Sequence, residues 1–261
     1  MPARTYGNYL KLDELLALQK PLSEGPEHDE MLFIVIHQVY ELWFKQVLWE
    51  LDWLRQALLD SHAPRALATF KRILTIMKTL VAQIDVLETM TPVSFNSFRA
   101  RLDAASGFQS RQFREIEWVL GARRPTLLAG FPEDGEDRRR LEARLAEPSL
   151  YEAFLRFLAA NGLAIPAEAF GREAAAPAFE DERVRRILVR VYHQDPALRE
   201  VCERMVDLDE GLQEWRYRHV KMVQRTIGTK QGTGGSPGAE YLRTTLFQAL
   251  FPDLWAIRAD L

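Results

Sequence analysis

Residues 31–58, MLFIVIHQVYELWFKQVLWELDWLRQAL, decide the fold of this chain. Apolar side chains recur there every three or four residues, and neither glycine nor proline interrupts them. This spacing matches a helical turn of about 3.6 residues. We therefore expect a long helix with an unusually wide apolar face.

The segments that follow show the same period. A second long helix, antiparallel to the first, is expected from Leu67 to Met90, opened near Pro64 and stopped by Thr91-Pro92. Further helices are expected over 92–101, over 108–120, from a capping box at 149–152 to Gly162, over 182–225 with a break at 195–196, and over 241–261 with an interruption at 252. The sequence contains no alternating run of strand length, no internal repeat and no low-complexity tail. The sequence therefore predicts an all-α fold.

The composition and net charge predict a folded protein that binds neither nucleic acid nor an anionic membrane. The chain of 261 residues is 47% apolar and 27% charged, as in average globular proteins. Its net charge of −3 does not steer it toward nucleic acid or an anionic membrane. The densest basic stretch, 138–140, is flanked by acidic residues, and we interpret it as a solvated helix face.

Cysteine use and the N-terminus indicate the compartment. A single cysteine, Cys202, excludes an internal disulfide and a clustered thiolate site, which fits a reducing compartment. The first residues have no apolar core of a secretory signal, and no uncharged apolar stretch is long enough to cross a membrane. We expect a cytoplasmic protein without membrane or nucleic-acid partners.

Two of the five histidines lie on apolar faces. His37 follows Phe33 by one turn among aliphatic residues, and His219 lies one turn after Trp215 and one before Val223. Each is equally compatible with a packed core histidine whose ring nitrogens find backbone partners. A metal site made from protein ligands alone is disfavoured, because no metal-ligand spacing such as His-Glu-x-x-His is present. A haem needs only one axial imidazole, a polar group opposite and an apolar cleft, which these two histidines could supply.

Two further features suit a small ligand. Arg99 follows the aromatic residues Phe95 and Phe98, so its guanidinium either extends to solvent or pairs with a carboxylate through two hydrogen bonds. The loop 228–238 holds five of the 14 glycines but has neither the P-loop nor the dinucleotide spacing. It is either a flexible linker or a lid with Thr233 and Ser236 as directional groups.

Six segments together resemble the tryptophan 2,3-dioxygenase family. They occur in one order from Tyr6 to the C-terminal part of the chain: YGNYL at 6–10, HDEMLFIVIHQ at 28–38, ELW at 41–43, SGFQS at 106–110, WRYRH at 215–219 and IGTKQGTGG at 227–235. Each segment alone is weak evidence for the family, whereas six segments in the family's order over nearly the whole chain are a specific match.

The resemblance implies a single haem dioxygenase domain over residues 1–261. Haem b would be bound at its iron by His219, with dioxygen on the opposite face of the ferrous iron. Ser106 and Trp43 match residues of the haem pocket. The reaction implied is insertion of both oxygen atoms across the indole C2–C3 bond of L-tryptophan, which gives N-formyl-L-kynurenine.

The resemblance also implies the substrate contacts. His37 matches the histidine that hydrogen-bonds the indole N–H, and Phe33 a residue that packs against the ring. Arg99 matches the partner of the substrate carboxylate, near Phe95, and Thr233 the residue that binds the amino-acid group from the closing loop.

An N-terminal segment within residues 1–20 is implied to be exchanged between subunits. Tyr6, Tyr9 and Leu10 match residues that enter the pocket of a neighbouring subunit in a homotetramer. Two residues depart from the commoner pattern. Phe95 stands where tyrosine is frequent, which removes a hydroxyl near Arg99, and Pro237 stands where serine is common.

Other functions remain compatible with these residues. The first group comprises a peroxidase, an oxygen carrier, or an indoleamine dioxygenase-like enzyme of broader substrate range. The second is a cofactor-free helical scaffold in which both histidines are merely packed, and a third has Cys202 as a haem ligand.

Overall fold

A computed structural model of the chain describes residues 3–25, 27–170, 180–233 and 238–261. Within these ranges there are twelve α-helices and no residue in a strand. The helices are α1 Tyr6–Leu10, α2 Leu12–Leu16, α3 Asp29–Leu59, α4 Ala63–Leu87, α5 Pro92–Phe98, α6 Arg111–Leu120, α7 Glu136–Ala146, α8 Leu150–Ala160, α9 Glu182–Gln194, α10 Pro196–Ile227, α11 Ala239–Arg243 and α12 Pro252–Ala256. The predicted all-α fold is confirmed.

The two long helices that the sequence predicts, α3 and α4, lie antiparallel. A three-residue connection, 60–62, joins them. Arg72 donates to the Glu50 carboxylate at 3.1 Å, and the Tyr40 hydroxyl donates to the Leu80 carbonyl at 2.7 Å. In each pair the residue on α3 lies about as far before the connection as its partner on α4 lies after it, which is the register of an antiparallel pair.

The core lies between α3 and the helices around it. The wide apolar face of α3 packs against α4, α6 and α8, and the other side of α4 packs against α10. The largest fully buried side chains include Leu51 and Leu54 of α3, Phe70 and Leu80 of α4, and Phe154 of α8. The breadth of the apolar face of α3 is thus explained by the number of its neighbours.

Most predicted helix ends are confirmed. The Asp195 carboxylate accepts the backbone N–H of Ala197 at 3.0 Å and opens α10, which ends at Gly228 with φ 61°. Ser149 caps α8 by accepting the backbone N–H of Glu152 at 3.1 Å. The second half of the expected capping box was wrong. The Glu152 carboxylate instead accepts from the Arg156 guanidinium at 2.7 Å, an ion pair between successive turns of the helix.

Two expected helices were too long. Ser110 ends a short 3₁₀ turn at Gly107–Gln109, and its hydroxyl then caps α6, so 108–120 is not one helix. Residues 244–251 are not α-helical, because their end is held by a side chain distant in sequence. The fully buried Asp209 carboxylate accepts the backbone N–H groups of Leu250 at 2.8 Å and Phe251 at 3.1 Å.

The basic stretch at 138–140 lies at the surface, as the sequence predicts. Arg138 in α7 pairs with Glu142 at 2.9 Å and Arg140 pairs with Glu136, so the basic stretch is a solvated face. None of the described helices combines the length and apolar character that a bilayer crossing requires. Cys202 is fully buried, and burial raises the pKa of its thiol to about 12, which disfavours a thiolate ligand.

Candidate functional site

The structure separates the five histidines as predicted. His28, His62 and His193 are exposed, whereas His37 on α3 and His219 on α10 are half-buried. Although part of each of these two rings is accessible, burial is the largest influence on the pKa of both. Side chains that are accessible yet strongly desolvated line a cleft rather than an outer surface.

His37 has a defined hydrogen-bonding polarity. Its Nδ1 lies 2.7 Å from the backbone carbonyl oxygen of Phe33, one turn earlier in α3. Because a carbonyl only accepts, Nδ1 carries the hydrogen, and Nε2 of the neutral ring keeps a free lone pair. Burial lowers the pKa of His37, against smaller opposing effects of the Phe33 carbonyl and the Glu41 carboxylate. At neutral pH His37 is therefore an uncharged acceptor.

His219 is also uncharged. Burial, and secondarily the positive charge that His37 would carry, lower the pKa of His219 to about 4. The Tyr40 ring, one turn after His37, lies 6.4 Å from the ring of Trp215, which lies one turn before His219. Helices α3 and α10 therefore place the two imidazoles beside the same cleft. A neutral imidazole with a free lone pair is the form that ligates a metal ion.

Phenylalanine rings line the cleft on the side of His37. The Phe33 ring centroid lies 4.1 Å from that of His37 and 5.8 Å from that of Phe95. Phe95 in turn meets Phe98 edge-on at 5.5 Å. The predicted aromatic residues Phe33 and Phe95 are thus brought together with His37, and Phe98, which is fully buried, packs against both of them.

His219 lies against Trp215. The two rings are stacked, 5.0 Å apart and inclined by 7°. Phe113 of α6 lies 4.9 Å from Trp215. Trp43 is half-buried on α3 and packs against the core, and no ring contact joins it to either histidine within the described ranges.

Arg99 and the glycine-rich loop meet at the end of α5. The Arg99 guanidinium donates to the backbone carbonyl of Gln231, and the Thr233 hydroxyl donates to the backbone carbonyl of Ala105. Ser106, the next residue, uses its hydroxyl to accept the backbone N–H of Phe108 at 3.3 Å. The structure therefore assembles the three predicted residues Arg99, Thr233 and Ser106 around one loop. Ser236 and Pro237 lie outside the described residues.

The N-terminal residues do not reach the cleft of their own chain. Tyr6 is 77% exposed and Tyr9 71% exposed, Leu10 is also exposed, and neither α1 nor α2 contains a buried residue. The following segment is tied to α3, where Gln19 donates to the Gln38 side chain at 2.5 Å.

Sequence reasoning missed a buried ionic cluster beside the cleft. The Glu117 carboxylate on α6 accepts from Arg114 at 2.5 Å, from Arg124 at 3.1 Å and from Arg216 at 2.7 Å. Glu117, Arg114 and Arg216 are all buried. The sequence carries no clear signal for the cluster, because Arg216 lies in a run of charged residues that resembles a solvated face.

The donor set fits a haem. No group of three or more histidine, cysteine, aspartate or glutamate side chains with the arrangement of a metal site occurs in the part of the chain that the structure describes. The cleft offers instead two neutral imidazoles, each packed against an aromatic ring, that of Phe33 for His37 and that of Trp215 for His219. This is the ligand set that haem requires and that a bare metal ion does not favour.

Fold and cleft together define an all-α protein with two neutral imidazoles beside one aromatic cleft. The family model described as tryptophan 2,3-dioxygenase matches residues 1–154 and 180–261. A tryptophan 2,3-dioxygenase of Herpetosiphon aurantiacus is 60% identical over 259 residues, which cover 99% of each chain. One of Anaeromyxobacter dehalogenans is 59% identical, covering 99% of this chain and 97% of its own. This chain belongs to the tryptophan 2,3-dioxygenase family.

Proposed function

We propose that this chain is a haem-dependent dioxygenase that inserts both atoms of dioxygen across the indole C2–C3 bond of L-tryptophan. The product is N-formyl-L-kynurenine, and the reaction opens tryptophan catabolism by the kynurenine pathway. The observation that carries the proposal is the pair of neutral imidazoles, His37 and His219, on one aromatic cleft of a chain of this family. The single buried cysteine suits work in the reducing cytoplasm.

His219 is the residue that would hold the iron of haem b. When bound, the ferrous haem supplies the centre at which dioxygen is activated. The low pKa of His219 favours this role, because the ring needs to lose no proton near neutral pH before it binds iron. Trp43 and Ser106 are proposed to line the haem pocket. The whole of residues 1–261 is proposed to form a single domain.

His37 is the proposed partner of the indole N–H. Its Nδ1 donates to the Phe33 carbonyl, so Nε2 is the atom left to accept a hydrogen bond. A ring whose pKa is lowered is a poor base, and an indole N–H is a very weak acid. We therefore assign His37 to orienting the substrate, with Phe33 packed beside the indole, and not to removing its proton.

Arg99 and Thr233 are proposed to hold the amino-acid group. The Arg99 guanidinium already donates to the backbone carbonyl of Gln231 in the loop, and the Thr233 hydroxyl donates to the backbone carbonyl of Ala105, outside the loop. A substrate carboxylate is a stronger partner for a guanidinium than a carbonyl is, because both groups are charged. Loop and Arg99 would thus exchange partners when the amino acid binds, while Phe95 offers only an apolar ring near the carboxylate. Fixed at both ends, the indole is held beside the reacting centre.

The proposed assembly is a homotetramer in which residues 1–20 complete the pocket of a neighbouring subunit. The support is that Tyr6, Tyr9 and Leu10 are exposed and that neither α1 nor α2 buries a residue. Such short helices are unstable alone in water and need a packing partner.

One experiment tests the function. The reduced protein is examined by absorbance with and without L-tryptophan and dioxygen, and N-formyl-L-kynurenine is measured with L-tryptophan, D-tryptophan, tryptamine and indole. We expect an intense Soret band, a spectral change on tryptophan addition and product from L-tryptophan foremost. Absence of the Soret band would favour the helical scaffold. A Soret band without product would favour a peroxidase or oxygen carrier, and equal use of the four substrates an enzyme of broader range.

A further inference from the structure

We propose that Trp215 is a positioning residue that sets the plane of the His219 imidazole by stacking, in place of a hydrogen-bond acceptor. The inference rests on the proposed role of His219 as the residue that would hold the haem iron. Ligating histidines usually donate their second ring N–H to a carboxylate or a backbone carbonyl, which fixes the ring and makes it more basic. Among the residues that the structure describes, the His219 ring has no such partner.

The stack has the geometry needed to hold a ring plane. Trp215 and His219 lie one turn apart on α10, so the helix itself sets their separation. Their rings are 5.0 Å apart and inclined by only 7°. Turning the imidazole out of this plane would give up the parallel contact with the larger indole ring.

Trp215 is itself held from three sides. It is 7% exposed. Phe113 lies 4.9 Å away, Phe44 meets it nearly edge-on at 6.2 Å, and Tyr40 lies 6.4 Å away. The Tyr40 hydroxyl donates to the Leu80 carbonyl at 2.7 Å, which ties this aromatic group to α4. The plane of the indole is therefore imposed by α3, α4 and α6 together.

The difference from a hydrogen-bonded ligand is chemical as well as geometric. A carboxylate partner would draw the second ring proton toward itself and increase electron donation from the imidazole to iron. A stacked indole fixes the ring without adding negative charge. The expected ligand is thus a neutral imidazole of fixed orientation, which favours the ferrous over the ferric state relative to a carboxylate-bound ligand.

The test compares Trp215→Leu with the conservative Trp215→Phe in the haem-loaded enzyme. We measure the iron–histidine stretching band by resonance Raman spectroscopy and the rate of haem transfer to excess apomyoglobin. Trp215→Leu is expected to broaden the band and to speed haem loss about three- to tenfold, the worth of one aromatic pair. Trp215→Phe should keep the band and the rate of haem loss close to those of the wild type. Trp118→Leu, which removes a fully buried indole from α6, is the control for general destabilisation and should lower Tm with the band unchanged.

A second measurement uses His219→Gly, to which free imidazole is added as a replacement ligand. Imidazole should bind more weakly when Trp215→Leu is also present. An unchanged band and haem-loss rate in Trp215→Leu, or equal imidazole affinity in the two His219→Gly backgrounds, would overturn the inference while leaving the proposed function intact. Wild-type protein that binds no haem would overturn the proposed function, and the inference with it.

Discussion

The chemistry of His37 is set by one backbone contact. Its Nδ1 donates to the Phe33 carbonyl at 2.7 Å, which leaves Nε2 to face a substrate as an acceptor. We predict that His37→Ala lowers kcat without abolishing turnover. Removing a group that only orients the indole should lower the rate less than removing a catalytic base would. The measurement is steady-state kinetics with haem content and tryptophan binding checked by absorbance. Complete loss of turnover with both still bound would contradict the assignment.

The lowered pKa of His37 predicts how the rate depends on pH. Its folded pKa lies below the ordinary value of 6.5, so the ring is neutral throughout the range above that value. As pH falls through the folded pKa, Nε2 gains a proton and ceases to accept the indole N–H. The rate should therefore be constant above about pH 6.5 and fall only below it. A profile of kcat from pH 5 to 9 checks this, and His37→Ala should lack the acidic fall. A wild-type rate that still rises above pH 7 would show that another group controls it.

Arg99 is predicted to govern amino-acid recognition. Removing one member of a desolvated charge pair commonly costs roughly 2–5 kcal/mol, so Arg99→Ala should raise KM for L-tryptophan by about 30-fold or more. Arg101→Ala, at an exposed position two residues away, is the matched control and should leave KM within about twofold. The same KM for both variants would indicate that another cation meets the carboxylate.

Sequence periodicity was enough to place His37 and His219 on apolar faces, because a helical face repeats every three or four residues. It could not show that Nδ1 of His37 is engaged, because a side-chain rotamer is set by packing. Nor could it show that Arg99 meets the Gln231 carbonyl, since those residues are 132 positions apart. That contact depends on how α5 and the end of α10 come together.

At the scale of elements, α6 and α10 are joined by the Glu117 cluster. Glu117→Gln would remove the carboxylate that the three guanidinium groups of Arg114, Arg124 and Arg216 share. Breaking a buried ion pair typically costs about 3–5 kcal/mol because a charge stays buried without a partner. We expect a loss of that order in the free energy of unfolding, measured by urea titration. Glu142→Gln, which breaks the exposed pair with Arg138, should change it by less than about 1 kcal/mol. Equal effects would mean that the cluster is structurally unimportant.

Helices were predicted well where their own sequence controls them and poorly where a distant side chain intervenes. The period of α3 and α4 and the break at Asp195 are local, and they were predicted correctly. Residues 244–251 have helical composition, but Asp209 takes the backbone N–H groups of Leu250 and Phe251. That competition is invisible in the sequence, since Asp209 lies in another helix.

Three large apolar side chains on one stripe of α3 are exposed to solvent. Trp49 is 75% exposed, and Leu42 and Trp53 on the same helix are also exposed. Exposed tryptophans of this kind are typical of protein interfaces, where they bury large areas near the centre of contact. The proposed assembly gives this stripe a partner, a second copy of the chain.

A charge introduced into this stripe tests whether copies of the chain meet there. Trp49→Glu would place a charge in the buried interface, and we expect the assembly to dissociate to smaller species by sedimentation velocity while the far-ultraviolet circular dichroism stays helical. Val93→Glu introduces the same charge on α5 at a position that is 81% exposed and off the stripe, so it should leave the assembly intact. If the assembly brings the exchanged residues Tyr6 and Tyr9 into a neighbouring pocket, Trp49→Glu should also raise KM for L-tryptophan, and higher protein concentration should partly restore it. A wild-type chain that sediments as a monomer, or a Trp49→Glu variant that sediments like the wild type, would show that this face of α3 is not where the copies meet.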